Sequence, residues 1–270
     1  MIIDFHTHLF PDRIAQKTIE LLSQKANIPA RADGTRAGLL RAMEAGDVDI
    51  AVNLPVLTNP SSFDKVNGFA KEINDTCRES GRRILSFAGI HPACENIPEK
   101  MKWIRENGFL GIKLHPDYQE TFFDDDGYLE IVREAEKQDL IVITHAGVDI
   151  GYRGYPVRCT PERAARVIQK IPYEKLVLAH LGASELFDEV YELLCGLNVY
   201  FDTAYILHFV GEECFKRILE KHGEDRILFG SDSPWSDIGK DVNMLKSFSL
   251  NRETEEKILC TNAKKLLGLQ

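Results

Sequence analysis

The chain has 270 residues, 44% of them hydrophobic and 28% charged, with a formal net charge of −9. That size suits one large α/β domain or two small ones, and the acidic balance offers no basic patch for nucleic acid or anionic lipid. No stretch approaches the ~18 apolar residues of a membrane-spanning helix, and the start lacks the basic flank and long apolar run of a signal peptide.

In chain order, the first element is IIDFHTHLF, residues 2–10. It reads as a strand in which Asp4, His6 and His8 face one way and Ile3, Phe5 and Thr7 the other, because alternate residues share a face. Two imidazoles on one face can close on one metal ion; two polar residues ending an edge strand is the plainer reading. Further apolar runs follow at 48–54, 84–90, 110–115, 140–145, 176–180, 198–202 and 226–232. That makes eight.

Between the runs lie amphipathic segments at 39–45, 63–79, 98–106, 128–137, 161–171, 185–194 and 211–221. Thr160-Pro161 predicts a capped helix start with proline at the first helical position. Asn107-Gly108, Gly81 and Gly223 read as helix stops. Two closing helices are expected at 237–248 and 252–267, with Asn251 and Thr254 as candidate caps. The segment 11–36 is long for a strand–helix connection and should hold an extra helix over the site; 117–126 and 147–160 are further long loops.

Eight strand–helix units predict an α/β fold, a (β/α)8 TIM barrel, in one domain spanning 1–270. An open doubly wound sheet is the alternative, but no glycine-rich phosphate turn follows strand one. Six scattered cysteines without a C-x-x-C pair read as free thiols in a reducing, cytoplasmic setting.

A barrel carries its chemistry at the carboxyl ends of its strands. His6 and His8 end strand one; His91, His115, His145 and His180 end strands three to six; His208 follows strand seven; Asp232 ends strand eight. Only His222 falls away from that rim, where it reads as a solvated helix end. Imidazole and carboxylate groups suit Zn²⁺ and similar divalent ions. A bound ion lowers the pKa of a coordinated water towards ~7.

The ordered set of His-x-His in DFHTH, the histidines of ITHAG and LAHLG, and the aspartate of FGSDSPW resembles the amidohydrolase superfamily. The stretch GIKLHPDYQ resembles its amidohydrolase 2 branch, which includes aminocarboxymuconate-semialdehyde decarboxylase-like enzymes. The resemblance runs from Asp4 to Trp235. It implies His6, His8, His145 and Asp232 as metal ligands. It implies His180 as either a second-metal ligand or a catalytic acid/base, and Asp232 as a proton shuttle in hydrolytic members. The implied cofactor is Zn, as one or two ions, with Mn or another divalent ion as alternatives.

Strand four bears on the ion count. Alternation turns Leu110, Ile112 and Leu114 to the helices and Gly111, Lys113 and His115 to the barrel interior. Lys113 is either carboxylated and bridging two metals, or unmodified, in a charge network with Asp4 or Asp202 or in contact with substrate. His115, Tyr118, Arg153, Arg158 and Trp235 are the candidate substrate-binding residues. An arginine fork suits a carboxylate, so the expected partner is a small, anionic molecule; a homodimer is compatible with the sequence. Asp202 is expected to hydrogen-bond a group behind the site or to cap a turn.

The leading expectation is a metal-dependent hydrolase acting on an amide, lactone or ester-like bond. Non-oxidative decarboxylation of an aromatic or muconate-type acid is the alternative on the same site. A non-catalytic metal-binding barrel is the third.

Overall fold

A computed structural model describes residues 1–79 and 84–269; the helix stop expected at Gly81 lies outside the described residues. The strands are β1 (Ile3–Thr7), β2 (Ile50–Asn53), β3 (Ile84–Ser86), β4 (Ala88–Gly89), β5 (Gly111–Leu114), β6 (Ile141–Thr144), β7 (Leu176–Leu178), β8 (Tyr200–Asp202) and β9 (Ile227–Leu228). β3 and β4 are the two halves of the expected third strand, broken at Phe87. All neighbours pair in parallel, in the orders β1-β2-β3 and β4 through β9. Phe87 N donates to Asn53 O at 2.9 Å across the break, and Phe5 N donates to Phe229 O at 2.8 Å across the closing seam. Further up that seam Asp232 N donates to His6 O and His8 N to Ser233 O. The ring is therefore closed, as expected of a TIM barrel.

The helices are α1 (Asp12–Ala26), α2 (Arg36–Ala45), α3 (Phe63–Glu79), α4 (Ile97–Glu106), α5 (Asp126–Lys137), α6 (Pro161–Lys170), α7 (Phe187–Leu193), α8 (Leu207–Val210), α9 (Glu212–His222), α10 (Ile238–Ser247), α11 (Arg252–Glu256) and α12 (Asn262–Leu267). α1 is the extra helix expected after strand one. The Thr160 side chain accepts from Arg163 N at the start of α6, and Asn251 accepts from Thr254 N at the start of α11, so Asn251 and not Thr254 is the cap. Side-chain oxygens at these positions satisfy helix N–H groups that have no partner within the helix.

Two apolar layers hold the barrel. Ile3, Phe5, Val52, Phe87, Ile143 and Val177 fill its inside, and Ala263, Leu266 and Leu267 of α12 join that cluster. Ile112, Leu114, Val142, Leu178 and Phe201 pack outward against the helices. Strand four thus alternates as expected at Ile112 and Leu114, whereas Leu110, at its base, packs against the inner cluster and not the helices.

Strand one does not. Ile3 and Phe5 point into the barrel, while Asp4 is turned away and accepts hydrogen bonds from Ser231 N and Oγ. The pairing register shifts between Asp4 and Thr7. That irregularity returns His6 to the interior after Phe5, where regular alternation would turn it out. Asp4 consequently makes no pair with Lys113.

Candidate functional site

His6 and His8 rise from β1 into the mouth of the barrel, opposite Asp232 beyond β9. Gly230 makes room for them: a Cβ there would lie 2.8 Å from the Cβ of His6. His6 Nδ1 lies 2.7 Å from Asp202 Oδ2, and His8 Nδ1 lies 2.8 Å from the Leu54 carbonyl. Carboxylate and carbonyl oxygens only accept, so both rings carry their proton on Nδ1 and leave an Nε2 lone pair free. Those lone pairs face Asp232 Oδ1 at 3.5 Å from His6 and 3.1 Å from His8. A cation between these three acceptors would bind them all; Lys113 Nζ already offers one donor, to His6 Nε2. One ligand atom from each of His6, His8 and Asp232 falls within 4.8 Å of the others. Donors behind the ligands that fix the tautomer are the usual companions of a metal centre, so the residues fit a divalent ion.

The electrostatics agree. Burial, then the Lys113 cation, pushes the His6 imidazole well below its usual range, keeping it neutral as a ligand must be. Burial pushes the Asp232 carboxyl up, but the electrostatic pull of its surroundings at His8, His6 and His180 outweighs it and holds the group at about 2. Lys113 Nζ stands 3.1 Å from His6 Nε2, and the residue is only 1% exposed. Burial lowers it to about 8, against the pull of Asp202, Asp232 and Asp149.

His180 and Asp232 both adopt left-handed backbone, at φ 61° and 66°. Such a conformation costs a non-glycine residue about 1–3 kcal/mol and persists where the surroundings impose it. Asp202 Oδ1 accepts from the backbone N–H of His180 and of Ala204, and so holds that turn. Asp202 thus performs both roles the sequence left open. His180 Nδ1 donates to Ala204 O at 2.9 Å, and its Nε2 meets His145 Nδ1 at 2.9 Å.

His145 is not part of the compact His6–His8–Asp232 group. It stacks on His115 with ring centroids 4.3 Å apart and planes 6° from parallel. With Asp149, these two form a second group of convergent ligand atoms. His115 Nε2 lies 3.4 Å from Asp149 Oδ2, and His145 Nε2 lies 3.8 Å from Asp117 Oδ2. Burial raises Asp117 and Asp149 each to about 6, and Asp149 adds to the rise of Asp117. Sequence reasoning passed over both acids. Their one signal was a place in the long loops after strands four and five.

Tyr118 stands edge-on to His115 at 4.3 Å and next to Tyr152. Lys25 of α1 caps this wall, its Nζ 3.4 Å from the Tyr152 ring centroid. Arg158 Nη1 lies 3.6 Å from Asp117 Oδ1, in a largely buried place. Arg153 stands at an exposed position, paired with Glu185. Trp235 is half-buried, its backbone N–H donating to the Asp232 backbone carbonyl.

Three other histidines serve locally. His91 Nδ1 accepts from Ala93 N. His208 Nε2 pairs with buried Asp241 at 2.8 Å. His222 is not a solvated helix end: it is 4% exposed and stacks on Phe201 with centroids 3.9 Å apart. An amphipathic ring at a helix end turned inward, because Phe201 offered it an apolar face.

No helix among the described residues is long and apolar enough to cross a membrane. A family model described as amidohydrolase matches residues 3–269. A sequence comparison with curated proteins returns no match. Among solved structures, the chain is similar to an uncharacterized TIM-barrel protein from Bordetella bronchiseptica, at 17% identity and TM-score 0.74, covering 99% of this chain and 98% of that one. It is similar to 2,6-dihydroxybenzoate decarboxylase from Rhizobium, at 18% identity and TM-score 0.70, covering 99% and 98%. It is also similar to dihydroxybenzoic acid decarboxylase from Polaromonas sp. JS666, with bound manganese and the inhibitor 2-nitroresorcinol, at 15% identity and TM-score 0.71, covering 99% and 96%.

Proposed function

Given that the chain belongs to the amidohydrolase family of metal-dependent enzymes, we propose that it is a non-oxidative decarboxylase of a small aromatic carboxylic acid. The observation that carries this reading is Lys113. Its buried amine stands 3.1 Å from His6 Nε2, beside the metal ligands. An ammonium next to a metal position makes a strongly electropositive pocket, and that suits an anionic substrate. The solved decarboxylases of the same fold suggest the substrate class, since they were captured with 2,6-dihydroxybenzoate and with 2-nitroresorcinol.

A divalent ion held by His6, His8 and Asp232 would supply a Lewis acid for the substrate's oxygen atoms. Manganese in the Polaromonas structure supports that ion as readily as zinc. Lys113 holds the carboxylate. With its Nδ1 proton held by Ala204 O, His180 carries the proton that the ring carbon accepts on Nε2 when it is an imidazolium; after transfer that nitrogen accepts from His145 Nδ1, 2.9 Å away, and the proton is regained from solvent. The bond to the carboxylate then breaks, its electrons return to the ring, and CO₂ leaves. Tyr118 and Tyr152 wall the mouth with aromatic faces. Arg158 is the second anion contact.

Hydrolysis of an amide, lactone or ester-like bond is the second reading. The observation favouring it is again the place of Lys113, since a carboxylated lysine there would be positioned to bridge two ions. A panel of aromatic acids, lactones and acyl-amino acids, offered to Mn²⁺-loaded protein, tests both. The proposal predicts metal-dependent release of CO₂ from an aromatic acid. Cleavage of a lactone or amide without CO₂ would transfer the site to the hydrolytic reading.

A further inference from the structure

The base of the barrel holds a cavity of about 470 Å³. Leu110 and the first residues of β6 and β8, Ile141 and Tyr200, line it, and Leu266 and Leu267 of α12 add to its apolar wall. Strand starts lie at the end of the barrel opposite to the proposed metal ligands, which follow the strand ends. Ligand pockets fall in this range of volume, with apolar walls and a few polar groups that fix orientation.

Arg105, Arg226 and Lys265 stand at this cavity, and none of them makes an ion pair among the described residues. Of the three acids there, Asp139 is paired with Lys175 and Asp225 with Lys257, which leaves Glu174 against three cations. Acids outnumber cations in the whole chain, 42 to 33, so this local excess runs against the composition. Arg105 and Lys265 stand in the last turns of α4 and α12, where a cation also favours the helix dipole. Arg226, in the short turn before β9, ends no α-helix. Tyr200 is 7% exposed, and its hydroxyl has no hydrogen-bond partner among the described residues. Burial raises its pKa, against the pull of Arg226 and with the push of Glu174 and Asp225, which places the hydroxyl among the charged groups of the cavity. A phenol there donates to whatever occupies the space.

We propose that this cavity is a binding site for a small organic anion with an apolar body, a carboxylate or sulfonate on an aromatic or short aliphatic frame. The body lies against Leu110, Ile141 and Leu267, and the acidic head meets Arg226, Lys265 and the Tyr200 hydroxyl. A guanidinium fork suits such a head, and the ammonium adds a point charge. The site is separate from the mouth of the barrel, and the inference does not rest on the reaction proposed above.

The test is titration of the full chain with 8-anilinonaphthalene-1-sulfonate, an aromatic monosulfonate, followed by fluorescence and by isothermal titration calorimetry. The base should take up one molecule per chain. Replacing two cations together, Arg226→Gln with Lys265→Gln, should weaken that binding by at least about tenfold, the loss expected for charge-assisted contacts at a half-exposed site. Asn198 is an exposed residue of the cavity's edge. Asn198→Trp fills the entrance without changing the charge and should abolish the same binding. Circular dichroism checks the folding of both, and should one fail to fold, the other carries the comparison. Arg158→Ala, at the mouth, should bind as wild type does. No binding to wild type, binding unchanged in either folded base variant, or binding lost altogether in Arg158→Ala overturns the inference.

Discussion

Asp202 Oδ2 lies 2.7 Å from His6 Nδ1, while Asp202 Oδ1 accepts from the backbone N–H of His180. One carboxylate therefore sets the tautomer of the proposed metal ligand on β1 and the backbone of the proposed proton donor after β7. Burial raises its pKa, and the surrounding cationic and N–H groups oppose the rise.

Asp202→Asn keeps the shape but exchanges a charged acceptor for a neutral amide. Metal affinity should fall by about 10–100-fold, the usual effect of losing a partner behind a ligand. Competition with a chromophoric chelator measures it. An unchanged affinity would remove Asp202 from the metal site.

Lys113→Met removes the buried cation beside His6. Turnover of an aromatic acid should fall by about 100-fold in kcat/KM, equivalent to roughly 3 kcal/mol of lost transition-state stabilisation. Lys113→Arg should not restore it, because a planar guanidinium does not replace a compact ammonium. The intact mass of the wild type, taken under native conditions, should lack the added CO₂ of a carbamate.

Arg158 and Arg153 separate the two arginines that the sequence could only group. Arg158→Ala should raise KM for an anionic substrate by about tenfold, roughly 1.4 kcal/mol of binding. Arg153 is exposed and paired with Glu185, so Arg153→Ala should change KM by less than about twofold, as exposed pairs contribute little. Steady-state kinetics on both variants decide it; an effect confined to Arg153 would reverse the assignment.

Burial holds His222 at about 4, below its ordinary 6.5. The folded state therefore keeps the ring neutral, while the unfolded chain protonates it. Its contribution is present above pH 6.5 and is lost as pH falls towards 4, up to about 3 kcal/mol. Buried Asp4 and Asp241, raised to about 7, act in the opposite sense: their contribution is present below pH 3.8 and is lost as pH rises through 7. Both acids are common to wild type and His222→Leu, so the difference between the two isolates the histidine. Urea denaturation of metal-free protein between pH 7 and 4 should show the variant losing less stability on acidification.

The barrel and its rim of histidines were legible because buried parallel strands are apolar runs, and strand ends in this fold share one face. The facing of Asp4 and Phe5 was not, because the register shift on β1 arises from pairing with β2 and leaves no local mark. His222 was misread for a related reason: its partner Phe201 lies on another strand. Asp117 and Asp149 are ordinary loop acids until folding sets them against His145 and His115. The resemblance implied His145 as a ligand beside His6 and His8; that its ring stacks on His115 is a tertiary contact with no mark in the sequence.

The most direct measurement is the fate of a proton from solvent. Mn²⁺-loaded protein is incubated in D₂O with a dihydroxybenzoic acid, and the product is read by NMR and mass spectrometry. Decarboxylation predicts CO₂ and one deuterium at the carbon that bore the carboxylate, both lost in His180→Ala. Recovery of the acid unchanged, while a lactone or amide is hydrolysed by the same preparation, would contradict it.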